Sequence, residues 1–230
     1  MPAINDPTFL RRIALFQDMP LGDLAVLNGL MRRQDLPAGV RLMSTDTRGD
    51  SAYVIRHGAV KVHVEQEDGR DVIVAILGPG EIVGEMSIVD RETRSGSVVT
   101  LEDSVLFWID REAFHTCLRT MPTLALNLTE ILSRRLRIAN ERIKALATLD
   151  VHGRIAHHLL VLAHEYGESV ECGTRIPIRL TQGDLASLVG ASRVRVNQSL
   201  VLLKRRGAIS TDQHHHITVH NEDVLARIGG

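Results

Sequence analysis

The sequence predicts an α+β chain in three parts: an antiparallel β barrel or jelly roll, one long helix, and a helix-turn-helix with a small wing. Three observations carry this. From Gln34 to Asp110, short β-rich runs alternate with Gly, Asp and Pro turn signals at spacings of roughly 8–12 residues. Pro122 opens a stretch with no further Gly or Pro until Gly153. Near the C-terminus, "LTQGDLASLVGASRVRVNQSLVLLKRRG" sets two capping residues on either side of a turn glycine.

Taken in order, residues 5–31 read as helical, with Phe9, Ile13 and Phe16 at spacings of four and three and Leu24, Leu27 and Leu30 every three. The strand runs are "SAYVIRHG", "AVKVHVEQ", "DVIVAILG", "SVVTLED" and "SVLFWID", with turns at Asp68-Gly69 and Gly78-Pro79-Gly80. Strict alternation in "AVKVHVE" puts Val60, Val62 and Val64 on one face and Lys61, His63 and Glu65 on the other. On the long helix, Leu128, Leu132, Leu136, Ala139, Ile143 and Leu146 step by 4, 4, 3, 4 and 3, close to a heptad seam. Leu124, Ile131, Ile138 and Ala145 form a second stripe. Two apolar stripes suggest a twin helix from a second subunit; one broad face buried inside a monomer is the alternative. A domain boundary is expected at about residues 148–152, where this helix runs out. The end of the chain reads as a two-stranded wing in "AISTDQHHHITVH" and a short helix near "NEDVLARI".

Composition excludes few partners. The chain has 230 residues, 44% hydrophobic and 24% charged, with formal net charge −1, so local clustering decides what it binds. Two cysteines, Cys117 and Cys172, are too few for a disulfide framework or a four-thiolate cluster and fit a reducing compartment. No apolar run of about 18 residues suggests a membrane span. The opening "MPAINDPTFLRRIALFQDMP" carries charges where a signal peptide needs its apolar core, so the chain reads as soluble and cytoplasmic.

Two segments carry chemistry. In "EIVGEMSIVDRETRSG", residues 81–96, a Gly84-Glu85 step precedes Arg94-Ser95 by ten residues, a pattern suited to a small anion. In the helix-turn-helix, Thr181 caps one helix with Asp184 three residues on, and Gly190 makes the turn. Ser192 caps the second helix, whose buried side is Val196, Leu200 and Leu203. Arg193, Val194, Arg195, Asn197 and Gln198 form its exposed edge. Arg pairs with guanine and Asn or Gln with adenine in the major groove. From Leu185 to Thr211 there are five basic residues and no acid. Thr181, Gln182 and Ser192 complete the expected DNA-contacting set; a solvated basic helix in an ordinary bundle is the bland alternative.

With "GDSAYVIRHGAVKV", "GEIVGEMSIVDRETRS", "SRRLRIANERI", "LDVHGRIAHHLL" and "LTQGDLASLVGASR" in this order, the chain resembles the cyclic-AMP receptor protein (CRP/FNR) family of bacterial transcription regulators over nearly its whole length. The resemblance implies an N-terminal double-stranded β-helix (jelly roll) cyclic-nucleotide-binding domain over 1–120. A dimerisation helix over 121–149 and a winged helix-turn-helix DNA-binding domain over 150–230 follow. It implies a homodimer on a palindromic operator, RNA polymerase as a further partner, cyclic AMP as effector, no metal and no catalysis. The ligand site it implies comprises Val83, Gly84, Glu85, Met86, Ser87, Arg94, Ser95 and Gly96, with Ala139 and Asn140 of the long helix. Arg94 and Ser95 would hold the phosphate, and Glu85 the ribose 2′-OH. An empty cassette with a structural Glu85–Arg94 ion pair is the alternative.

The chain departs from the family at Gly96, where Ala or Ser is usual, at Ser199, where an apolar residue is usual, and at three positions that bear on recognition. Ala139 stands where cyclic-AMP responders often have a Thr against the adenine. Val194 replaces a usual Glu, and Gln198 a usual Arg, so the operator should keep a guanine for Arg193 and differ where 194 and 198 read. A regulator that is ligand-independent or answers another effector is the runner-up. Enzyme readings, from Glu85 with Arg94 or His157-His158 with Glu165, lack a nucleophile, metal triad or cofactor loop. In "HHH", only His214 and His216 share a strand face, too few for a metal site.

Overall fold

The computed structural model describes residues 7–67 and 71–230; the Asp68-Gly69 turn and the first two residues of the expected 5–31 helix lie outside the described residues. The remainder of that helix is broken. Two 3-10 turns, Pro7–Arg12 and Ala14–Phe16, precede α1 (Leu21–Leu30). Gln17 is extended, Asp18 is left-handed at φ 58°, and Pro20 stands at the N-cap. A proline disfavours helical backbone in the residue before it. The carbonyls left open are satisfied at long range: Asn127 Nδ2 donates to Leu15 O at 3.0 Å and Gln17 O at 2.8 Å.

The strands follow as β1 (Arg32–Leu36), β2 (Arg41–Met43), β3 (Ser51–His57), β4 (Val60–Glu65), β5 (Asp71–Leu77) and β6 (Ile82–Val83). A short α2 (Met86–Val89) then precedes β7 (Ser97–Thr100), β8 (Ser104–Asp110) and α3 (Arg111–Thr120). They form two four-stranded sheets, β1-β8-β3-β6 and β2-β7-β4-β5, a jelly-roll arrangement. Met43, Val60, Leu77 and Val98 from one sheet meet Ile55, Val83 and Leu106 from the other. On β4, His63 is 2% exposed although it shares a face with Lys61 and Glu65. In a roll both strand faces can be covered, so alternation does not sort inside from outside.

The long helix is α4 (Pro122–Thr148). Contacts divide the chain into two compact units, with divisions at Val64/Glu65, Val74/Ala75 and Leu136/Arg137. The last division falls inside α4. Leu124, Leu128 and Ile131 belong to the first unit's core with Phe16, Leu24, Phe107 and Phe114. In the second unit, Ala145 is buried and Arg142 donates to Val74 O.

The second unit continues as α5 (Val151–Tyr166), β9 (Glu168–Val170), β10 (Gly173–Ile176), α6 (Gln182–Val189), α7 (Arg193–Arg205), β11 (Ile209–Thr211), β12 (Ile217–Val219) and α8 (Glu222–Gly229). The wing is larger than expected: β11 and β12 extend into a four-stranded sheet, β11-β12-β10-β9. Strands of three and four residues rich in Glu, Ser, Gly and Arg leave almost no periodic signal. Around α5 the core gathers Ile155, Leu159, Leu162, Leu185, Val196, Leu203 and Leu225.

His158 is buried in this core, its ring edge-on to His157 at 5.8 Å. Burial pushes its pKa down to about 3, and Arg142, His157 and Arg154 add to the shift. A base held below its unfolded pKa of about 6.5 stabilises the fold fully above that value, and the contribution is lost as pH falls toward 3. The urea midpoint should therefore drop between about pH 7 and about pH 5. His158→Leu should flatten that dependence, and an equally steep slope in the variant would exclude His158 as its source.

Candidate functional site

The anion cassette is built around one buried cation. Strand β6 delivers the chain to Gly84 at φ 85°, a region that favours glycine. A Cβ there would stand 2.5 Å from Arg94 Nη1 and 2.6 Å from Met43 Cε, so close approach also requires glycine. Arg94 is 6% exposed. Its Nη1 donates to Gly84 O at 2.7 Å and Ser87 Oγ at 2.9 Å, and its Nη2 to Ser51 O at 2.6 Å. Three of five guanidinium N–H groups are thus engaged, leaving Nε–H and one Nη2–H for an incoming acceptor. Burial lowers the Arg94 pKa; Tyr53 and Asp50 oppose the shift, and the nearby Arg111 guanidinium reinforces it. Such a site favours an anion.

Arg111 has no sequence signal of its own. Its Nε donates to Gly49 O at 2.6 Å and its Nη2 to Ser87 O at 3.0 Å, joining segments 62 and 24 residues away. Gly49 is packed so closely that a Cβ would meet Ser87 Oγ at 2.1 Å. Helix α2 is only four residues long, and Arg94 and Arg111 place two cations beside it. Of the other expected ligand residues, Val83 and Ser87 are buried, and Met86 and Ser95 are exposed. Gly96 is buried with its Cβ position 3.1 Å from Val62 Cγ1, which explains a residue without a side chain there.

Glu85, 2% exposed, does not pair with Arg94. Its Oε1 accepts from Arg135 Nη1 at 2.7 Å, while Arg135 Nη2 donates to Glu81 Oε2 at 2.6 Å and Ile82 O at 2.5 Å. Arg134 pairs with the other oxygen of Glu81. Burial raises the Glu85 pKa, and Arg135 is the largest opposing influence. Arg134 and Arg135 lie within "SRRLRIANERI", a segment that carries no sign of which carboxylates they meet. Ala139 and Asn140 are exposed on the part of α4 that belongs to the second unit.

The helix-turn-helix forms as its caps require. Thr181 accepts from Asp184 N and the Asp184 carboxylate accepts from Thr181 N, a complete capping box. Gly190 is left-handed at φ 64°, and Ser192 accepts from Arg195 N. Val196, Leu200 and Leu203 face inward. Ser192, Arg193, Val194, Arg195, Asn197 and Gln198 are all exposed, Val194 by 67%. The Arg193 guanidinium lies over the first turn of α6, its Nη2 3.2 Å from a Cβ position on Gly183. Gln182 and Asn197 are bonded to each other at 3.1 Å.

On α4, Leu136, Ile143 and Leu146 are 63%, 65% and 55% exposed, and Ala139 is exposed between them. Leu132 is half-buried against the first unit's core. Leu128 is corrected: at 4% exposure it belongs to that core and has little surface for a second subunit. In the wing, His216 Nδ1 lies 3.0 Å from Asp212 Oδ2 and 2.9 Å from Arg175 Nη2. Among the described residues, no three His, Cys, Asp or Glu side chains gather as a metal site, and no helix is long and apolar enough to cross a membrane.

The chain matches the family model of the cyclic nucleotide-binding domain over residues 33–121 and that of the Crp-like helix-turn-helix domain over 153–228. It is 33% identical over 218 residues to the CRP-like cAMP-activated global transcriptional regulator of Mycobacterium tuberculosis, covering 95% of this chain and 97% of the relative. It is 30% identical over 195 residues to the cyclic AMP receptor protein of Thermus thermophilus, covering 85% and 87%. Among solved structures, FixK2 from Bradyrhizobium japonicum superposes with a TM-score of 0.78 at 18% identity, covering 87% and 98%. The c-di-GMP responsive regulator CLP of Xanthomonas campestris does so at 0.72 and 25% identity, covering 88% and 100%.

Arg135→Leu should leave two buried carboxylates short of their shared cation and cost on the order of 3 kcal/mol of unfolding free energy near neutral pH. Adding Glu85→Gln should recover part of that loss in a denaturant titration. Simple additivity of the two changes would show that the pair is not coupled.

Proposed function

The chain belongs to the CRP/FNR family of transcription regulators, joining a cyclic-nucleotide-binding domain to a Crp-like helix-turn-helix domain, and from that premise we propose that it is a homodimer whose affinity for palindromic DNA is set by cyclic AMP held in the cassette. The observation that carries the reading is the buried Arg94 guanidinium, fixed by Gly84, Ser87 and Ser51 with two N–H groups to spare. Those donors suit a cyclic phosphate, with Ser95 beside them. Glu85 has acceptor capacity beyond its bond to Arg135 and suits a ribose 2′-OH. The relatives named for cyclic AMP support that nucleotide.

Exposed Leu136, Ile143 and Leu146 support a seam with a second α4, starting at Leu132 rather than Leu128. Ligand control then works as a population shift. The effector binds more tightly to the dimer geometry whose two α7 helices fit successive major grooves, about 34 Å apart. RNA polymerase and a bacterial cytoplasm belong to the same proposal, as expected of a regulator of this family. A second reading, the same architecture answering another effector, draws support from Ala139, which lacks the hydroxyl of cyclic-AMP responders.

Calorimetric titration of the purified protein with cyclic AMP and cyclic GMP separates these readings. Heat from cyclic AMP is expected; heat from neither favours the second reading. Arg94→Leu should abolish the response while sedimentation still reports a folded dimer, and a full response in that variant would overturn the cassette assignment. Arg193→Ala should weaken operator binding by on the order of tenfold or more with ligand affinity intact. Unaltered specific binding would remove Arg193 from base reading.

A further inference from the structure

The first residue of α6 and the middle of the exposed edge of α7 are tied together. Gln182 Nε2 donates to Asn197 Oδ1 at 3.1 Å, across 15 residues of chain and between two exposed side chains. Surface amides ordinarily rotate freely, but both ends of this bond are anchored. The capping box at Thr181 and Asp184 fixes the backbone beside Gln182. Fully buried Val196 fixes the backbone beside Asn197, and the left-handed turn at Gly190 sets the two helices at one crossing.

A carboxamide is planar, with its oxygen on one side and its NH2 on the other. Because the Asn197 oxygen is turned toward Gln182 of α6, its NH2 lies on the other side of the amide plane and takes no part in that bond. The paired grip on adenine needs the oxygen and the nitrogen presented together to N6 and N7. Asn197 in this orientation presents donors. In the major groove guanine offers two adjacent acceptors, N7 and O6, for both N–H groups, whereas adenine N7 and thymine O4 offer one each and cytosine only a donor.

We propose, on the reading of α7 as the DNA-recognition helix, that Gln182 is a positioning residue that orients Asn197 as a donor, so that Asn197 selects guanine at one position of each half-site. Gln182 acts through Asn197, and its own contact with DNA is not required for this effect. The selectivity is a property of the pair.

The chemistry supplies a test that a structural role for Gln182 would not pass. Binding of the full-length protein, with effector present, is measured against an operator library in which every half-site position carries each of the four bases. The wild type is expected to prefer guanine at one position, and Asn197→Ala is expected to lose that preference by about tenfold. Gln182→Ala should relax preference at the same position and nowhere else. In Gln182→Glu the new carboxylate only accepts, so the pair survives only if the Asn197 amide turns over and presents its oxygen. Preference should then shift to a base with a donor, adenine or cytosine, above any uniform loss of affinity caused by the added charge. In the Asn197→Ala background neither Gln182 substitution should change base preference. A base preference unmoved by Gln182→Ala and Gln182→Glu overturns the inference and leaves the regulator reading intact. A wild type that selects no sequence from the library overturns both.

Discussion

A guanidinium cannot be buried without acceptors, and the way Arg94 meets that constraint organises the ligand end of the molecule. Its partners are carbonyls and one hydroxyl, not a carboxylate. Those acceptors come from the loop after β6, from α2 and from the start of β3, so one charge holds three segments in register. Neutral acceptors leave the guanidinium without a hydrogen-bonded carboxylate, which gives the cassette a reason to attract an anion. A Glu85–Arg94 pair would have cancelled it. Arg111 adds a second cation nearby, through Gly49 O and Ser87 O.

The carboxylates are handled separately. Glu81 and Glu85 are drawn to Arg134 and Arg135 on α4, within the first unit. Helix α4 is thereby attached to the cassette strand through ion pairs of low exposure, which are sensitive to loss of either partner. The same helix carries an exposed apolar stripe farther along. Under the proposed function, a change in the Glu85–Arg135 contact and a change along that stripe would be events on one continuous helix, as coupling of an effector to subunit arrangement would require.

The DNA-binding end relies on a different set of contacts. Caps and a glycine turn, all local, hold α6 and α7 at a fixed crossing. On that frame a single exposed amide bond joins Gln182 of α6 to Asn197 of α7, the pair on which the proposed base selectivity rests. Val194 places an exposed apolar side chain on the same edge, one that can touch a thymine methyl but cannot accept a hydrogen bond.

Much of this was legible in the residues. Strand runs, the uninterrupted helix, Thr181 and Ser192 as caps and Gly190 as the turn all follow from interactions between near neighbours in the chain, and near neighbours are what a linear pattern records. The broken helix before Leu21, the burial of His63 and the inclusion of β9 and β10 in the wing sheet were not legible, because each depends on what packs against the segment from elsewhere. The same holds for the site. Sequence by itself determined which charged residues are present and on which elements they stand. Only the tertiary structure decided that Arg94 would reach Ser51 O, 43 residues away, that Glu85 would meet Arg135, 50 residues away, and that Leu128 would turn into its own core, since such partners are chosen by packing geometry and desolvation rather than by spacing.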